Sequence, residues 1–209
     1  MDFTSGLLVL VRHGESLWNA KQVWTGLTDI GLSPRGEEEA RNAAHALRDL
    51  SFDSAFTSNL RRAQETLRLM LETLGKTDVP ITRDAALNER DYGVYTGKNK
   101  MEIKSELGDA EFLKLRRGWD YPVPHGESLK QVYARVVPYY VANVEPLVKA
   151  GKHVLVVAHG NSLRALIKKL DNVNDADIAN VELATGDIVV YYIDASGRIV
   201  SRELRKASA

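Results

Sequence analysis

The chain has 209 residues, of which 44% are hydrophobic and 27% are charged, as in an ordinary globular protein with room for one large domain. Its 28 basic and 28 acidic residues give a net charge of zero, which disfavours general binding to nucleic acid or to membrane surfaces. It contains no cysteine, so disulfides, thiolate metal sites and cysteine nucleophiles are excluded. Since the sequence predicts neither a signal peptide nor a membrane span, we expect a cytoplasmic protein.

Apolar runs and helical spacing alternate along the chain. Buried strands are predicted at residues 7–12, 52–58 and 154–158, with an extended segment at 79–88 and a hairpin at 188–193 and 198–204. Helices are predicted from residues 34, 59 and 162, at 100–107, and at 128–150 with a kink at Pro138. No internal repeat or linker interrupts this order, so we expect one α/β domain over residues 1–209 with parallel-type strands.

Two of the predicted strands end in His-Gly. His13-Gly14 follows the first strand, directly after Arg12, and His159-Gly160 follows the strand at 154–158. Ligands of open α/β sheets bind at the carboxyl ends of the strands. One such histidine is more often structural than functional, but the repeated arrangement favours function. If the two strands are neighbours, both histidines and the arginine face one pocket, which suits a phosphate.

Arg61 and Arg62 fall in the first turn of the predicted helix that begins near residue 59. Cations at this end oppose the helix dipole, and an anionic ligand near them would compensate. The alternative is that the side chains extend into solvent, which we expect of at least one of them.

A histidine can accept a phosphoryl group when one ring nitrogen is deprotonated and the other is held by a hydrogen bond. Such a transfer depends on positioning and on fixed positive charge, which Arg12, Arg62 and His159 can supply to His13. The sequence contains neither a metal-binding motif such as His-Glu-x-x-His nor a glycine-rich phosphate loop. It therefore predicts a metal-free phosphoryl transfer through His13.

Phosphoryl transfer also needs a group that protonates the leaving oxygen and deprotonates the incoming one. Glu89 is the candidate, because it lies in a polar cluster at the end of an extended segment. The alternative is that Glu89 forms a surface ion pair with Arg90.

The segment Leu-Val-Arg-His-Gly-Glu-Ser at residues 10–16 resembles the signature of the histidine phosphatase superfamily. Matches along most of the chain resemble, more narrowly, the 2,3-bisphosphoglycerate-dependent phosphoglycerate mutases: Trp18-Asn19, Thr25-Gly26, Thr57-Ser58, Arg62, residues 87–93, Gly97, Asn99-Lys100, Arg116-Arg117 and residues 158–166. The short segment between Trp119 and Glu127 and the few residues after Leu204 resemble the short form of that family. The resemblance implies a mostly parallel sheet with helices on both faces.

The resemblance also implies a reaction, the interconversion of 3-phosphoglycerate and 2-phosphoglycerate in glycolysis and gluconeogenesis. His13 would be the nucleophile that becomes phosphohistidine, and Glu89 the proton donor and acceptor. His159, Arg12 and Arg62 would stabilise the phosphoryl group. The implied binding residues for phosphoryl oxygens, carboxylate and second phosphate are Asn19, Thr25, Gly26, Arg62, Tyr92, Lys100, Arg116, Arg117, Gly160 and Asn161.

The same resemblance implies 2,3-bisphosphoglycerate as the priming phosphoryl donor, no metal, and small phosphoglycerates as the partners. It leaves a homo-oligomer open. Two other functions are weighed against it. A phosphatase of small phosphomonoesters would keep His13 and Glu89 but not need Lys100, Arg116 and Arg117. A non-catalytic phospholigand-binding protein is less favoured because both reactive residues are present, and a dinucleotide-binding protein is disfavoured because no G-x-G-x-x-G follows the first strand.

Overall fold

The computed structural model describes residues 5–206, which form an α/β fold around one sheet. Its strands are β1 (Gly6–Arg12), β2 (Ser54–Thr57), β3 (Ile81–Arg83), β4 (His153–Ala158), β5 (Ile188–Ile193) and β6 (Ile199–Arg205). Its helices are α1 (Leu17–Ala20), α2 (Pro34–His45), α3 (Arg61–Thr73), α4 (Lys100–Arg117), α5 (Leu129–Asn143), α6 (Glu145–Lys149) and α7 (Gly160–Leu170). Three short 3₁₀ turns lie at Ala85–Leu87, Gly93–Tyr95 and Asp177–Asn180.

The strand order across the sheet is β3-β2-β4-β1-β5-β6. The first four strands in this order are parallel, and β5 and β6 add an antiparallel hairpin at one edge. The expectation of a mostly parallel sheet is thus confirmed, as is the predicted hairpin. β1 and β4 are neighbours in register, with Arg12 beside Ala158, so the residues that follow the two strands emerge side by side.

Helices cover both faces of the sheet, as predicted. Alternate residues of β1 point to opposite faces of the sheet, and both sets are buried, as in a strand that is covered on both sides. Leu8 and Leu10 pack into a core with α5 and α7, whereas Leu7, Val9 and Val11 pack into a second core with α2 and α3. This burial fixes the register of the central strands and therefore the position of the loops at their carboxyl ends.

The helix caps follow the sequence signals. The Ser33 side chain accepts a hydrogen bond from the Gly36 N–H at the start of α2, where Pro34 occupies the first turn. Ser128 caps α5 and exchanges hydrogen bonds with Gln131 in a capping box.

Three predicted elements differ from the observed ones by more than two residues at one end. Only Ile81–Arg83 of the segment 79–88 is a strand, because Asp84 accepts a hydrogen bond from the Ala86 N–H and turns the chain into a 3₁₀ turn. The predicted helix at 128–150 runs through Pro138 but ends at Asn143, and a separate helix starts before Pro146, which has no N–H to continue the ladder. The predicted helix at 100–107 continues to Arg117 across a kink at Gly108.

Within residues 5–206, no helix combines the length and the hydropathy that crossing a membrane requires.

Candidate active site

The site lies where β1 and β4 end. His13 follows β1 and His159 follows β4, and their ring centroids are 4.9 Å apart in an edge-on arrangement. The two strands are neighbours, which was the condition for a shared pocket, and they bring the two histidines together. Both rings are buried, at 2% and 0% exposure, so their charge states depend on the protein rather than on bulk water.

His13 is held as a neutral imidazole with one free ring nitrogen. Its Nδ1 lies 2.6 Å from the carbonyl oxygen of Gly14. Since a carbonyl only accepts hydrogen bonds, Nδ1 carries the ring proton and Nε2 keeps its lone pair. Burial, reinforced by the positive charges of Arg62 and Arg12, lowers the pKa of His13 well below its ordinary value. The imidazole is therefore uncharged at neutral pH, and its free nitrogen can attack a phosphorus atom.

The two arginines at the start of α3 have different environments. Arg61 is exposed and pairs with Glu65 at 2.7 Å, one turn along the helix. Arg62 is 1% exposed and donates to the carbonyl oxygens of Thr28 and Gly26 at 3.0 and 2.9 Å. Burial lowers the pKa of Arg62 to about 10, so it stays protonated at neutral pH. One of the pair thus extends into solvent, as expected, and the other places a charge in the pocket.

Glu89 is buried at the pocket wall, with one carboxylate oxygen held and the other available. Its Oε1 accepts hydrogen bonds from the Arg90 N–H at 2.7 Å and from the side-chain amide of Asn161 at 3.0 Å. The Asn161 N–H adds a third at 3.2 Å. Among the described residues these bonds fall on Oε1, which leaves Oε2 to exchange protons with a ligand.

The surface ion pair that was the alternative for Glu89 does not form within residues 5–206. The guanidinium of Arg90 instead donates to the carbonyl oxygen of Leu115 at 2.6 Å and lies 4.7 Å from the centre of the Tyr92 ring. Arg90 is completely buried against the small apolar cluster beside the pocket. The residue that was the alternative ion-pair partner of Glu89 therefore packs within the pocket wall.

The segment that carries Glu89 is clamped from outside by Arg135 of α5. The guanidinium donates to the carbonyl oxygens of Ala86, Asn88 and Glu89 at 2.8, 3.0 and 2.9 Å. It also makes two parallel hydrogen bonds, of 2.8 and 2.9 Å, to the carboxylate of Glu127. All five donors are therefore used, and three of them hold the backbone between Ala86 and the proposed proton carrier, Glu89.

Asn161 and Arg164 join the two halves of the pocket. The Asn161 amide donates to Tyr92 Oη at 2.9 Å as well as to Glu89, and its oxygen accepts from Arg164 at 3.1 Å. The same Arg164 guanidinium donates to the carbonyl oxygens of Arg117 and Ile178 at 2.8 and 2.7 Å. Arg164 therefore positions the amide that holds the glutamate and ties it to the end of α4.

A cationic group lines the opposite side of the pocket. Lys100 lies at the start of α4, and Arg116 and Arg117 lie at its end. Burial, followed by repulsion from Arg116, lowers the pKa of Lys100 to about 8. Arg117 forms an ion pair with Glu182. In the same loop, the carbonyl oxygen of Leu183 accepts a 2.5 Å hydrogen bond from Arg12.

The structure brings the predicted site residues into one place. Thirteen line the pocket: Arg12, His13, Asn19, Thr25, Gly26, Arg62, Glu89, Tyr92, Lys100, Arg116, Arg117, Gly160 and Asn161. The fourteenth, His159, lies directly against His13. Asn19 serves locally as well, since its side chain accepts from the Ser16 N–H in the cap of α1.

Several pocket residues were not predicted. The pocket is also lined by Trp24, Arg164, Glu182 and Leu183. Ser58 is hydrogen-bonded to the ring of His159. Arg164 lies four residues after Gly160 on α7, about one helical turn away, so its spacing from the second His-Gly could have indicated that it faces the pocket. No sequence signal indicated the loop at 181–183, because it reaches the pocket only through the packing of the chain.

Across residues 5–206, no group of three or more His, Asp or Glu side chains is placed to hold a metal ion.

Comparison with known proteins agrees with this geometry. The family model of the histidine phosphatase superfamily (branch 1) matches residues 8–203. The chain belongs to this superfamily. It is 49% identical, over 94% of its length and 93% of the relative, to a 2,3-bisphosphoglycerate-dependent phosphoglycerate mutase of Methylobacterium radiotolerans. A protein of the same name from Parvibaculum lavamentivorans is 46% identical, with 95% of each chain covered.

Solved structures of other superfamily members have the same fold. A mycobacterial glucosyl-3-phosphoglycerate phosphatase superposes with a TM-score of 0.81 at 27% identity, covering 98% of this chain and all of the other. A phosphoglycerate mutase from Bacillus anthracis has a TM-score of 0.74 at 22% identity, over 97% of this chain and 93% of the other. The fold thus occurs in both phosphatases and mutases, so the fold alone does not identify the substrate.

Proposed function

We propose that the protein interconverts 3-phosphoglycerate and 2-phosphoglycerate through a phosphohistidine at His13. The observation that carries the proposal is the combination, in one pocket, of a buried neutral histidine and more cations than one phosphate requires. The names of relatives that are 46–49% identical over nearly the whole chain support the same reaction.

In the first transfer, the phosphoryl group on His13 Nε2 passes to the 2-hydroxyl of 3-phosphoglycerate. The new O–P bond forms as the N–P bond breaks, and the hydroxyl proton moves to Glu89 Oε2. In the return transfer Nε2 attacks the 3-phosphate, and the oxygen that leaves takes the proton back from Glu89. One carboxyl group that both accepts and donates serves both directions, which fits a single free carboxylate oxygen in the same pocket as the histidine.

The charge that develops on the phosphoryl oxygens is met by groups that are already in place. Arg62 is a buried cation and Arg12 a partly buried one, both held by carbonyl oxygens, and His159 packs against the nucleophile. Such preorganised donors lower the barrier because they do not reorient during the reaction.

The second anionic end of a phosphoglycerate has its own partners. Lys100, Arg116 and Arg117 line the far side of the pocket and would bind the carboxylate, as would Thr25 and the Gly26 backbone. A phosphatase of simple monoesters needs charge for one phosphate only, so this group favours the mutase.

The pocket also fits a bisphosphorylated molecule. Arg12 Nε and Thr25 Oγ1 are buried polar atoms at its wall without a hydrogen-bond partner among the described residues. Together with Lys100 and Arg116 they would hold its two phosphates. When bound, 2,3-bisphosphoglycerate would supply the priming phosphoryl group, as the names of the relatives imply.

The test is conversion of 3-phosphoglycerate to 2-phosphoglycerate in excess chelator, with and without 2,3-bisphosphoglycerate, alongside released phosphate. We expect rapid isomerisation that depends on the bisphosphate and releases little phosphate. The His13→Ala variant is expected to lose both isomerisation and acid-labile phosphate on the protein. Phosphate release without isomerisation would instead assign the protein to the phosphatases, and activity abolished by the chelator would contradict the metal-free route.

A further inference from the structure

His159 presents two different ring nitrogens. Nε2 lies 2.7 Å from the hydroxyl oxygen of Ser58. Nδ1 is buried and has no hydrogen-bond partner within residues 5–206. Since the ring packs edge-on against His13, Nδ1 is the nitrogen that remains for a phosphoryl group carried by that residue.

The other hydrogen bond of Ser58 indicates which group donates in the hydrogen bond between Ser58 and His159 Nε2. Its hydroxyl oxygen already accepts the Leu60 N–H at 3.1 Å, and the residue is completely buried. The hydroxyl proton still needs an acceptor, because a buried donor without one costs free energy. Among the described residues, the acceptor within reach is His159 Nε2, so Ser58 donates and the histidine nitrogen accepts.

The charge state of His159 makes its tautomer important. Burial, reinforced by Arg62, His13 and Arg12, lowers the pKa of His159 well below its ordinary value, so the ring is neutral. A neutral imidazole carries one proton, on Nδ1 or on Nε2. Phosphoryl oxygens accept hydrogen bonds but do not donate them when ionised, so only the tautomer protonated on Nδ1 can bind one through this nitrogen.

We propose that Ser58 is a positioning residue that donates its hydroxyl proton to His159 Nε2 and thereby keeps the ring proton on Nδ1, facing the phosphoryl group. The inference rests on the proposed function only for what the Nδ1 proton contacts. The tautomer itself is a property of the protein without substrate.

The histidine backbone is held independently of Ser58. The His159 N–H donates to Ser162 Oγ at 3.1 Å, and that hydroxyl donates back to the His159 carbonyl oxygen at 3.1 Å. Removal of the Ser58 hydroxyl therefore changes the partner of the ring while the start of α7 keeps its hydrogen bonds.

The first test is nuclear magnetic resonance of the full chain labelled with ¹⁵N on histidine, with long-range proton–nitrogen correlations of the rings. The chain has five histidines, and the signals of His159 are assigned by their loss in a His159→Asn variant. We expect a protonated Nδ1 and an unprotonated Nε2 in the unmodified protein. A protonated Nε2 there would overturn the proposal without any need for a serine variant.

The second test compares Ser58→Ala with Ser54→Ala. Ser54 lies on β2, four residues earlier, and its buried hydroxyl has no hydrogen-bond partner in the part of the chain that the structure describes. We expect Ser58→Ala to lose the uniform Nδ1-protonated tautomer, and Ser54→Ala to keep it. Retention of that tautomer in Ser58→Ala would refute the role of the hydroxyl.

Kinetics then separate positioning from a structural role. In Ser58→Ala, the rate of phosphohistidine formation from 2,3-bisphosphoglycerate should fall about tenfold or more, since one prepared donor is lost. The KM for 3-phosphoglycerate should change less than twofold, because Lys100, Arg116 and Arg117 are untouched. An unchanged rate would show that the tautomer has no role in transfer. If no phosphohistidine forms even in the unmodified protein, the proposed function fails while the tautomer result stands.

Discussion

Replacement of Arg135 by methionine tests whether the clamp outside the pocket holds the proposed proton carrier. The change keeps an apolar stem of similar length but removes five hydrogen bonds, three of them to the carbonyl oxygens of Ala86, Asn88 and Glu89. It also leaves the Glu127 carboxylate with only the Asp91 N–H, at 3.0 Å, among the bonds described here. The segment around Glu89 therefore loses its outer support.

The magnitude follows from the burial of the ion pair. Removing one partner of a fully buried pair costs about 3–5 kcal/mol, because the other charge is left unpaired. The side chains of Arg135 and Glu127 are 25% and 23% exposed, so water screens part of that loss. We expect a decrease of about 3 kcal/mol in the free energy of unfolding, which corresponds to a Tm lower by roughly 6–12 °C for a chain of this size. The kcat should fall further than the KM rises, because Glu89 moves while the cations on α4 stay.

The measurement is thermal and urea unfolding of Arg135→Met together with isomerase kinetics at a temperature where the variant is folded. A matched control is Arg68→Met, which breaks an exposed ion pair with Glu72 and should change stability by about 0.5 kcal/mol or less. Adding Glu127→Gln to Arg135→Met should recover part of the stability, because it removes the unpaired charge. If Arg135→Met is as stable and as active as Arg68→Met, the clamp does not position Glu89.

Two other predictions concern the cationic side of the pocket. The double change Arg116→Ala and Arg117→Ala should reduce isomerisation at least a hundredfold while hydrolysis of a simple phosphomonoester falls by less than tenfold, and equal loss of both activities would contradict the assigned roles. Because the pKa of Lys100 is lowered to about 8, its ammonium loses its proton as the pH rises from 7 to 9, so the KM for 3-phosphoglycerate should rise over that range. Lys100→Arg, which stays charged, should remove the rise, and a KM that stays constant to pH 9 in the unmodified protein would refute the assignment.

The local signals in the sequence identified most of the regular structure. The apolar run before Arg12, the Ser33-Pro34 helix start and the C-terminal hairpin all appear where they were predicted. These elements depend on residues that are close in sequence, through hydrophobic periodicity, helix capping and turn-forming residues. The errors fall at element ends, such as Asp84 and Pro146, where a side-chain hydrogen bond or a missing N–H ends an element within its apolar pattern.

The sequence by itself also determined which residue types were available to the site. Two His-Gly pairs after buried strands, together with the resemblance, predicted thirteen of the seventeen residues that line the pocket. Reasoning from the residues alone left open which of the adjacent Arg61 and Arg62 extends into solvent. Arg61 and Arg62 are equivalent in sequence, but only Arg62 points into the pocket, because the helix turns by about 100° at each residue.

Only the tertiary structure decided the contacts that set charge and proton positions. Ser58 and His159 are 101 residues apart, and Arg135 and Glu89 are 46 residues apart, so no periodicity of the sequence relates them. Their pairing follows from strand order and from the packing of α5 and α7 against one face of the sheet. Protonation depends on burial and on the nearest partner, and both of these exist only once the chain has folded.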